Sequence, residues 1–216
     1  SSPILFLPGH PGRDFVGVPP TFDAVRNYQA TTKWADMIPS AASVPQRMRR
    51  AFTLLRTGRP GPVLLEVPVD VAKEEFPGGL DYRPVRPSRS AADAESIRDA
   101  VRLLLAAERP MIWAGQGVLY AGASRQLAQF AELLGAPVMT TLLGKSAFDE
   151  RHPLSLGTGS YSCTTMVMDY LQHCDAVFAV GASLTRSIFA PVIPGGKRIV
   201  HATIDARDLN KDYQAD

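Results

Sequence analysis

The sequence is poor in cysteine, carries no large excess of charge of either sign, and has no long apolar run. Its two cysteines, Cys163 and Cys174, stand eleven residues apart without a CxxC pair. Two thiols are too few for a disulfide framework or a four-ligand zinc site, and a cytoplasmic location is expected. Lys and Arg number 23 against 21 Asp and Glu, a formal net charge of +2. Nucleic acid needs a concentrated basic face, so no nucleic-acid partner is expected. No apolar run approaches the ~20 residues that cross a bilayer, so no membrane partner is expected. The opening SSPILFLPGHPG lacks a basic segment before its apolar stretch and a small-residue cleavage site after it, and does not read as a signal peptide. The first residue is not Met, so the chain can be a piece of something longer.

Familiar catalytic motifs are missing too. No GxSxG occurs, which removes the α/β-hydrolase elbow. Gly144-Lys145-Ser146 contains GKS, but a P-loop needs a glycine where Met139 stands. His10, His152, His173 and His201 are scattered without HxxxH spacing and read as structural or surface residues. Arg47, Arg49 and Arg50 read as a solvated helix face rather than a phosphate clamp.

What remains is an ordinary globular composition: 216 residues, 45% apolar and 20% charged. A chain of this length buries roughly 70% of its unfolded surface and needs no metal or disulfide staple. Thirteen of the eighteen prolines fall in residues 1 to 90. The stretch FPGGLDYRPVRPSRS, residues 76–90, has Pro, Gly and charge without apolar periodicity and reads as a linker. Before it, Ile4–Leu7 reads as a strand and 11–42 shows no pattern. A helix opens at Pro45, with Met48, Ala51, Phe52 and Leu55 on one face, and stops at Gly58. Pro62–Pro68 reads as a strand buried on both faces. Strands Ile4–Leu7 and Val63–Val67 are expected to lack the partners of a full sheet.

After the linker, strands and helices alternate. Helices are expected around Ile97–Leu105, Leu127–Leu134 and Met166–Leu171. Strands are expected at Met111–Ala114, Pro137–Thr141, Ala176–Val180 and Arg198–Ile204. This rhythm predicts an α/β fold, a parallel sheet with helices on both faces. Ligands of such sheets bind beyond the carboxyl ends of the strands. Four strand ends therefore share one edge and supply the candidate binding residues: Gly115-Gln116-Gly117, Thr140-Thr141-Leu142, Gly181-Ala182-Ser183 and Asp205. Glycines admit a ligand to the backbone, hydroxyls and N–H groups suit phosphate, and a carboxylate suits ribose hydroxyls. Each element alone is explained as chain turning; the set of four describes a nucleotide-shaped crevice. Gly115-x-Gly117 lacks the third glycine of the dinucleotide fingerprint, since Tyr120 stands there.

Residues 51–71, AFTLLRTGRPGPVLLEVPVDV, resemble the segment that closes the pyrimidine-binding domain of thiamine diphosphate-dependent enzymes of the acetolactate synthase type. RPMIWAGQGV, LGAPVMTTLLGKSAFDERHPL, CDAVFAVGASLTRS and IDARDLNKDY resemble, in order, that family's central domain. The resemblance implies three segments. Residues 1–75 are the C-terminal part of the pyrimidine-binding domain, 76–90 a linker, and 91–216 a parallel, doubly wound (Rossmann-like) central domain, incomplete at its C-terminus. It also implies a parent enzyme that needs thiamine diphosphate and Mg²⁺, acts on a small-molecule 2-keto acid, and works as a homodimer or homotetramer. Carbon dioxide leaves, and the carbanion is protonated or joined to a second carbonyl.

The chain departs from the pattern in several places. The family's thiamine-activating glutamate lies upstream of the matching segment, and its Gly-Asp-Gly motif, which occurs nowhere here, lies in a third domain. No catalytic or metal-ligating residue is therefore assigned. Phe-Gln-Glu is replaced by Pro19-Pro20-Thr21, and the flavin-contacting Gly-Met-His-Gly by Ser160-Tyr161-Ser162-Cys163. The family's Gly-x-x-Phe-Asp-Asp-Arg becomes Gly181-Ala182-Ser183-Leu184-Thr185-Arg186-Ser187. These changes favour ADP over FAD in the central crevice. Carboligation and plain decarboxylation compete as activities, and a non-catalytic adenine-nucleotide-binding or structural module competes from another class.

Overall fold

The computed structural model describes residues 2–86, 88 and 90–216. The chain divides into two compact units, Ser1–Ser90 and Ala91–Asp216. Among the described residues, 76–90 carry no helix or strand.

The first unit is built around β4 (Val63–Pro68), whose Val63, Leu64 and Leu65 are fully buried. β1 (Leu5–Phe6) and β2 (Gly9–His10) run parallel beside β4 in one continuous register, Leu5 opposite Val63 and Gly9 opposite Val67. β3 (Trp34–Met37) lies on the other side, Trp34 also opposite Val63. The three short strands thus flank β4 on both sides. β3 was hidden in the patternless stretch because Ala35 and Asp36 are poor strand formers. Backbone bonds hold both of its ends, Lys33 N–H to Pro62 O at 2.8 Å and Ile38 N–H to Glu66 O at 2.9 Å. The short α1 (Ala24–Tyr28) precedes it, capped by the Asp23 carboxylate, which accepts from Arg26 N–H at 2.8 Å.

α2 (Val44–Arg56) starts with Pro45 in its first turn and ends before Gly58, which turns at φ 64°. Its buried Ala51 and Leu55 pack on Val63, Leu65 and Val71. The arginine run is more than a solvated face. Arg47 is ion-paired with Asp36 of β3, and the Arg50 guanidinium lies 4.5 Å over the Trp34 ring.

The second unit is a five-stranded sheet. Along the chain come α3 (Ala94–Leu105), β5 (Pro110–Ala114), α4 (Gln116–Ala121), α5 (Ser124–Leu134) and β6 (Val138–Thr141). There follow β7 (Ser155–Gly159), α6 (Thr165–His173), β8 (Ala176–Val180) and β9 (Arg198–Ala202). The spatial order is β7-β6-β5-β8-β9 and every pairing is parallel. The first strand is central; the chain steps outward twice, then crosses to the other side of β5. This is the doubly wound α/β fold read from the sequence, with its switch point between β5 and β8. Alternation along β5 splits the core: Met111 and Trp113 pack with α6 residues Val167 and Leu171, Ile112 and Ala114 with Leu127 and Ala131 of α5.

Two elements of the second unit escaped the sequence reading. β7 is an edge strand of Ser and Gly, and its ladder jumps from Val138–Ser155 to Met139–Gly157, a bulge with Gly157 at φ 89°. α4 was read as a turn because glycines flank it; Gly122 closes it at φ 63°. β9 ends at Ala202, two residues earlier than its apolar pattern suggests.

Candidate functional site

The four candidate segments follow β5, β6, β8 and β9 in the second unit. The first and third are fused to each other. Gly115 N–H donates to Val180 O and Gly117 N–H to Gly181 O, both at 2.8 Å, while Gly181 N–H reaches back to Ala202 O at 2.9 Å. A Cβ on Gly115 would stand 2.2 Å from Gly181 O and 2.5 Å from Ala182 Cα; one on Gly117 would stand 2.7 Å from Gly181 Cα. Gly181 itself sits at φ 61°. The glycines at the switch point thus let two loops touch backbone to backbone. Gly144, of the rejected GKS motif, does the same: its Cβ would meet Ala114 O and Gly115 C, each at 2.8 Å.

The hydroxyls of the second segment also have local partners. Thr140, 3% exposed, has its Oγ1 at 3.2 Å from Thr158 Oγ1 of β7. Thr141 Oγ1 accepts from Gly144 N–H at 3.0 Å and caps the 3-10 turn Leu142–Gly144. Leu142 is half exposed. Gln116 opens α4.

The third and fourth segments converge through residues the sequence reading missed. Ser183 Oγ lies 2.9 Å from Thr185 Oγ1, and Lys211 Nζ donates to Thr185 Oγ1 at 2.7 Å and to buried Asp208 at 3.2 Å. Arg186 N–H donates to Asp212 at 2.9 Å, and Ala182 O lies 2.8 Å from His201 Nε2 on β9. His201, Asp208, Lys211 and Asp212 therefore fasten the loop after β8. No spacing rule connects them to residue 183, so the sequence held no signal for them. Asp205 accepts from Arg207 N–H at 3.1 Å and is gripped by the Arg207 guanidinium at 3.0 and 2.9 Å. That pair raises the Arg207 pKa above its ordinary value. Asp205, Asp208, Asp212 and Lys211 are each already partnered, around glycine turns closed on each other.

The remaining candidates lie apart from this cluster. Tyr161, after β7, is 84% exposed. His152 Nε2 is 3.0 Å from Glu132, and His173 Nδ1 is 2.8 Å from Asp169 O. Among the described residues, no group of three or more His, Cys, Asp or Glu side chains comes together as a metal site. Among them, too, no helix is long and apolar enough to cross a membrane.

A family model for the thiamine pyrophosphate enzyme central domain matches residues 97–216. The chain belongs to the thiamine pyrophosphate enzymes. It is 34% identical to the acetolactate synthase large subunit of Corynebacterium glutamicum over its whole length, covering 36% of that protein. It is 35% identical to the glyoxylate carboligase of Escherichia coli O157:H7, over 98% of this chain and 37% of that one. An X-ray structure from Mycobacterium smegmatis, assigned to the thiamin diphosphate-dependent enzymes, superposes with a TM-score of 0.83 at 28% identity, over 98% of this chain and 42% of that chain. The chain thus spans little more than a third of the length of these two curated relatives. As a member of this family it is related to enzymes that depend on thiamine diphosphate, which agrees with the resemblance read from its motifs.

Proposed function

We propose that this chain is part of an acetolactate synthase-like, thiamine diphosphate-dependent enzyme that decarboxylates a 2-keto acid or joins it to a second carbonyl compound. The observation that carries the reading is the collinear similarity to acetolactate synthase and glyoxylate carboligase through both units, not the central domain alone. In this reading 1–75 is the C-terminal part of the pyrimidine-binding domain, 76–90 a linker and 91–216 the central domain. The parent uses Mg²⁺ and works as a homodimer or homotetramer.

The residues present do not hold the cofactor by themselves. Gly-Asp-Gly is absent from the chain, and no metal cluster forms among the described residues. Thiamine diphosphate supplies the electron sink for this chemistry when bound, and no step is assigned to a residue of this chain. The role proposed for the second unit is to hold an adenine nucleotide at the β5–β8 switch point, ADP in preference to FAD. Asp205 faces the ribose, after release from Arg207, and Ser183 lies toward the phosphates with Lys211 behind it. Gly115, Gln116, Gly117, Thr140, Thr141, Leu142, Gly181 and Ala182 form the floor. Gly115 and Gly117 contribute shape rather than donors, because their N–H groups are spent on Val180 and Gly181.

The test is keto-acid turnover. The parent protein, with thiamine diphosphate and Mg²⁺, should consume pyruvate or glyoxylate, and the 216-residue chain alone should not. A parent inert toward 2-keto acids but stabilised by ADP would replace this reading with a nucleotide-binding module. ADP should raise the melting temperature at least as much as FAD does, and Asp205→Ala should reduce either shift. Stoichiometric FAD on the purified protein would refute the preference.

A further inference from the structure

The turn that delivers the chain to β7 is closed by one imidazole. His152 Nδ1 accepts from Leu154 N–H at 3.2 Å, and its Nε2 lies 3.0 Å from Glu132 Oε1 on α5. A backbone N–H can only donate and an ionised carboxylate can only accept, so the ring is neutral with its proton on Nε2. The ring also meets the buried Phe148 ring edge to face at 4.9 Å. Both nitrogens are thus spent, one toward the helix and one toward the turn.

This joint sits at a weak place in the sheet. Leu154 O accepts from Val138 N–H and His152 O from Ser155 N–H, both at 2.8 Å. The Val138–Ser155 rung is the last before the bulge, beyond which β7 carries Thr158, the partner of the Thr140 hydroxyl. The charged side chains on α5, on the turn and just before it are Arg125, Glu132, Lys145, Asp149, Glu150 and Arg151. Arg151 is engaged with Asp149, and Lys145 with Glu150. Among the described residues, Glu132 is the charged group bonded to the ring.

We propose that His152 is a pH-sensitive latch on β7: a proton added at Nδ1 releases the Leu154 amide and loosens the first rung between β6 and β7. Imidazole ordinarily changes charge between pH 5 and 8. The second proton has to enter at Nδ1, the atom that accepts from Leu154. Two donors then face each other and Leu154 N–H loses its partner, while Nε2–H keeps Glu132. Glu132 favours the cation, but its side chain is 59% exposed, and pairs of that kind are worth little. It holds the ring to α5 in both states, so the turn is what moves. The latch belongs to the second unit alone and does not depend on the enzymatic reading above.

Amide hydrogen exchange of the 216-residue chain, followed by NMR together with the His152 ring signals, tests it. Protection of the Leu154 and Val138 amides, corrected for the intrinsic pH dependence of exchange, should fall about fivefold as the ring gains its proton between pH ~8 and ~5. Ile112 N–H of β5, bonded to Pro137 O, should keep its protection. His152→Asn can hold the Leu154 amide through Oδ1, which reaches an N–H two residues on, and has no proton to gain; its protection should be flat with pH. Glu132→Gln keeps an acceptor for Nε2–H but withdraws the charge, so the fall should move to lower pH. Flat Leu154 protection in the parent chain overturns the proposal, as does an equal fall in His152→Asn. A fall that reaches Ile112 is unfolding of the whole unit and overturns it too. If His152→Asn does not fold, Glu132→Gln decides, and an unmoved fall overturns the latch.

Discussion

Gly115→Ala is the sharpest test of how the β5–β8 switch point is built. The added Cβ would lie 2.2 Å from Gly181 O, 2.5 Å from Ala182 Cα and 2.6 Å from Ala182 N. All three are backbone atoms, so no side chain can swing away. Reaching ordinary contact requires the loop after β8 to retreat by about 1 Å, against an interior packed as densely as a crystal. Overpacking of this kind costs about 1–3 kcal/mol. The retreat also stretches the bonds from Gly115 N–H to Val180 O and from Gly117 N–H to Gly181 O, each worth about 1 kcal/mol. The sum is about 3–5 kcal/mol, a large share of the ~5–15 kcal/mol that holds a typical domain. Gly122→Ala is the control. Gly122 has φ 63° but nothing within 4 Å of a Cβ, so it should lose only the ~1–2 kcal/mol of left-handed backbone. Urea denaturation followed by tryptophan fluorescence reads both, because Trp113 on β5 is buried in the second unit. Trp34→Phe silences the first unit. Gly115→Ala within about 0.5 kcal/mol of Gly122→Ala, inside the scatter of ordinary surface changes, would refute the fused-loop account.

Burial pushes the Glu66 carboxyl above its usual range, with His10 opposing and Asp23 adding to the shift. Its contribution to stability is therefore full below the unfolded pKa and is lost as pH rises through the folded value. Glu66→Gln should gain stability relative to the parent chain as pH climbs from ~4 toward neutrality, and a melting-temperature difference flat with pH would contradict this. Hydrogen bonds from the Arg151 guanidinium and backbone lower the Asp149 pKa to about 2. Carboxyl NMR titration of Arg151→Ala should move it back toward ~3.9; an unmoved midpoint would remove Arg151 as the cause. Asp93 caps α3 by accepting from Glu95 and Ser96 N–H at 3.0 and 2.9 Å. Asp93→Ala should cost about 1 kcal/mol in urea midpoint analysis, and no loss would mean that α3 is held otherwise.

Much of the fold is written in local periodicity. The apolar runs of β4, β5, β6 and β8 and the stripes of α2, α5 and α6 mark themselves, because a buried strand must be apolar throughout and a surface helix on one face. Their alternation with βα spacing leaves few topologies besides a parallel doubly wound sheet. The motifs of the glycine turns and of residues 51–71 likewise carried the family by sequence alone. The weakly patterned pieces were not legible. Ala35 and Asp36 become strand because β4 offers unpaired backbone groups, and Ser155–Gly159 becomes an edge strand through a bulge. Neither choice is encoded in side-chain pattern.

The chemistry of the edge divides the same way. Sequence placed Gly115, Gly117 and Gly181 at strand ends. Tertiary structure set them against each other, because β5 and β8 are neighbours across a crossover that spans more than sixty residues. Only folding could bring Lys211 to Thr185, or place Glu66 beside His10 and the ring of Tyr28, since such meetings depend on strand order and register rather than on spacing along the chain. The sequence by itself determined which segments become strands and helices and to which family they belong. The three-dimensional packing alone decided which backbone donors at the sheet edge are spent on neighbouring loops.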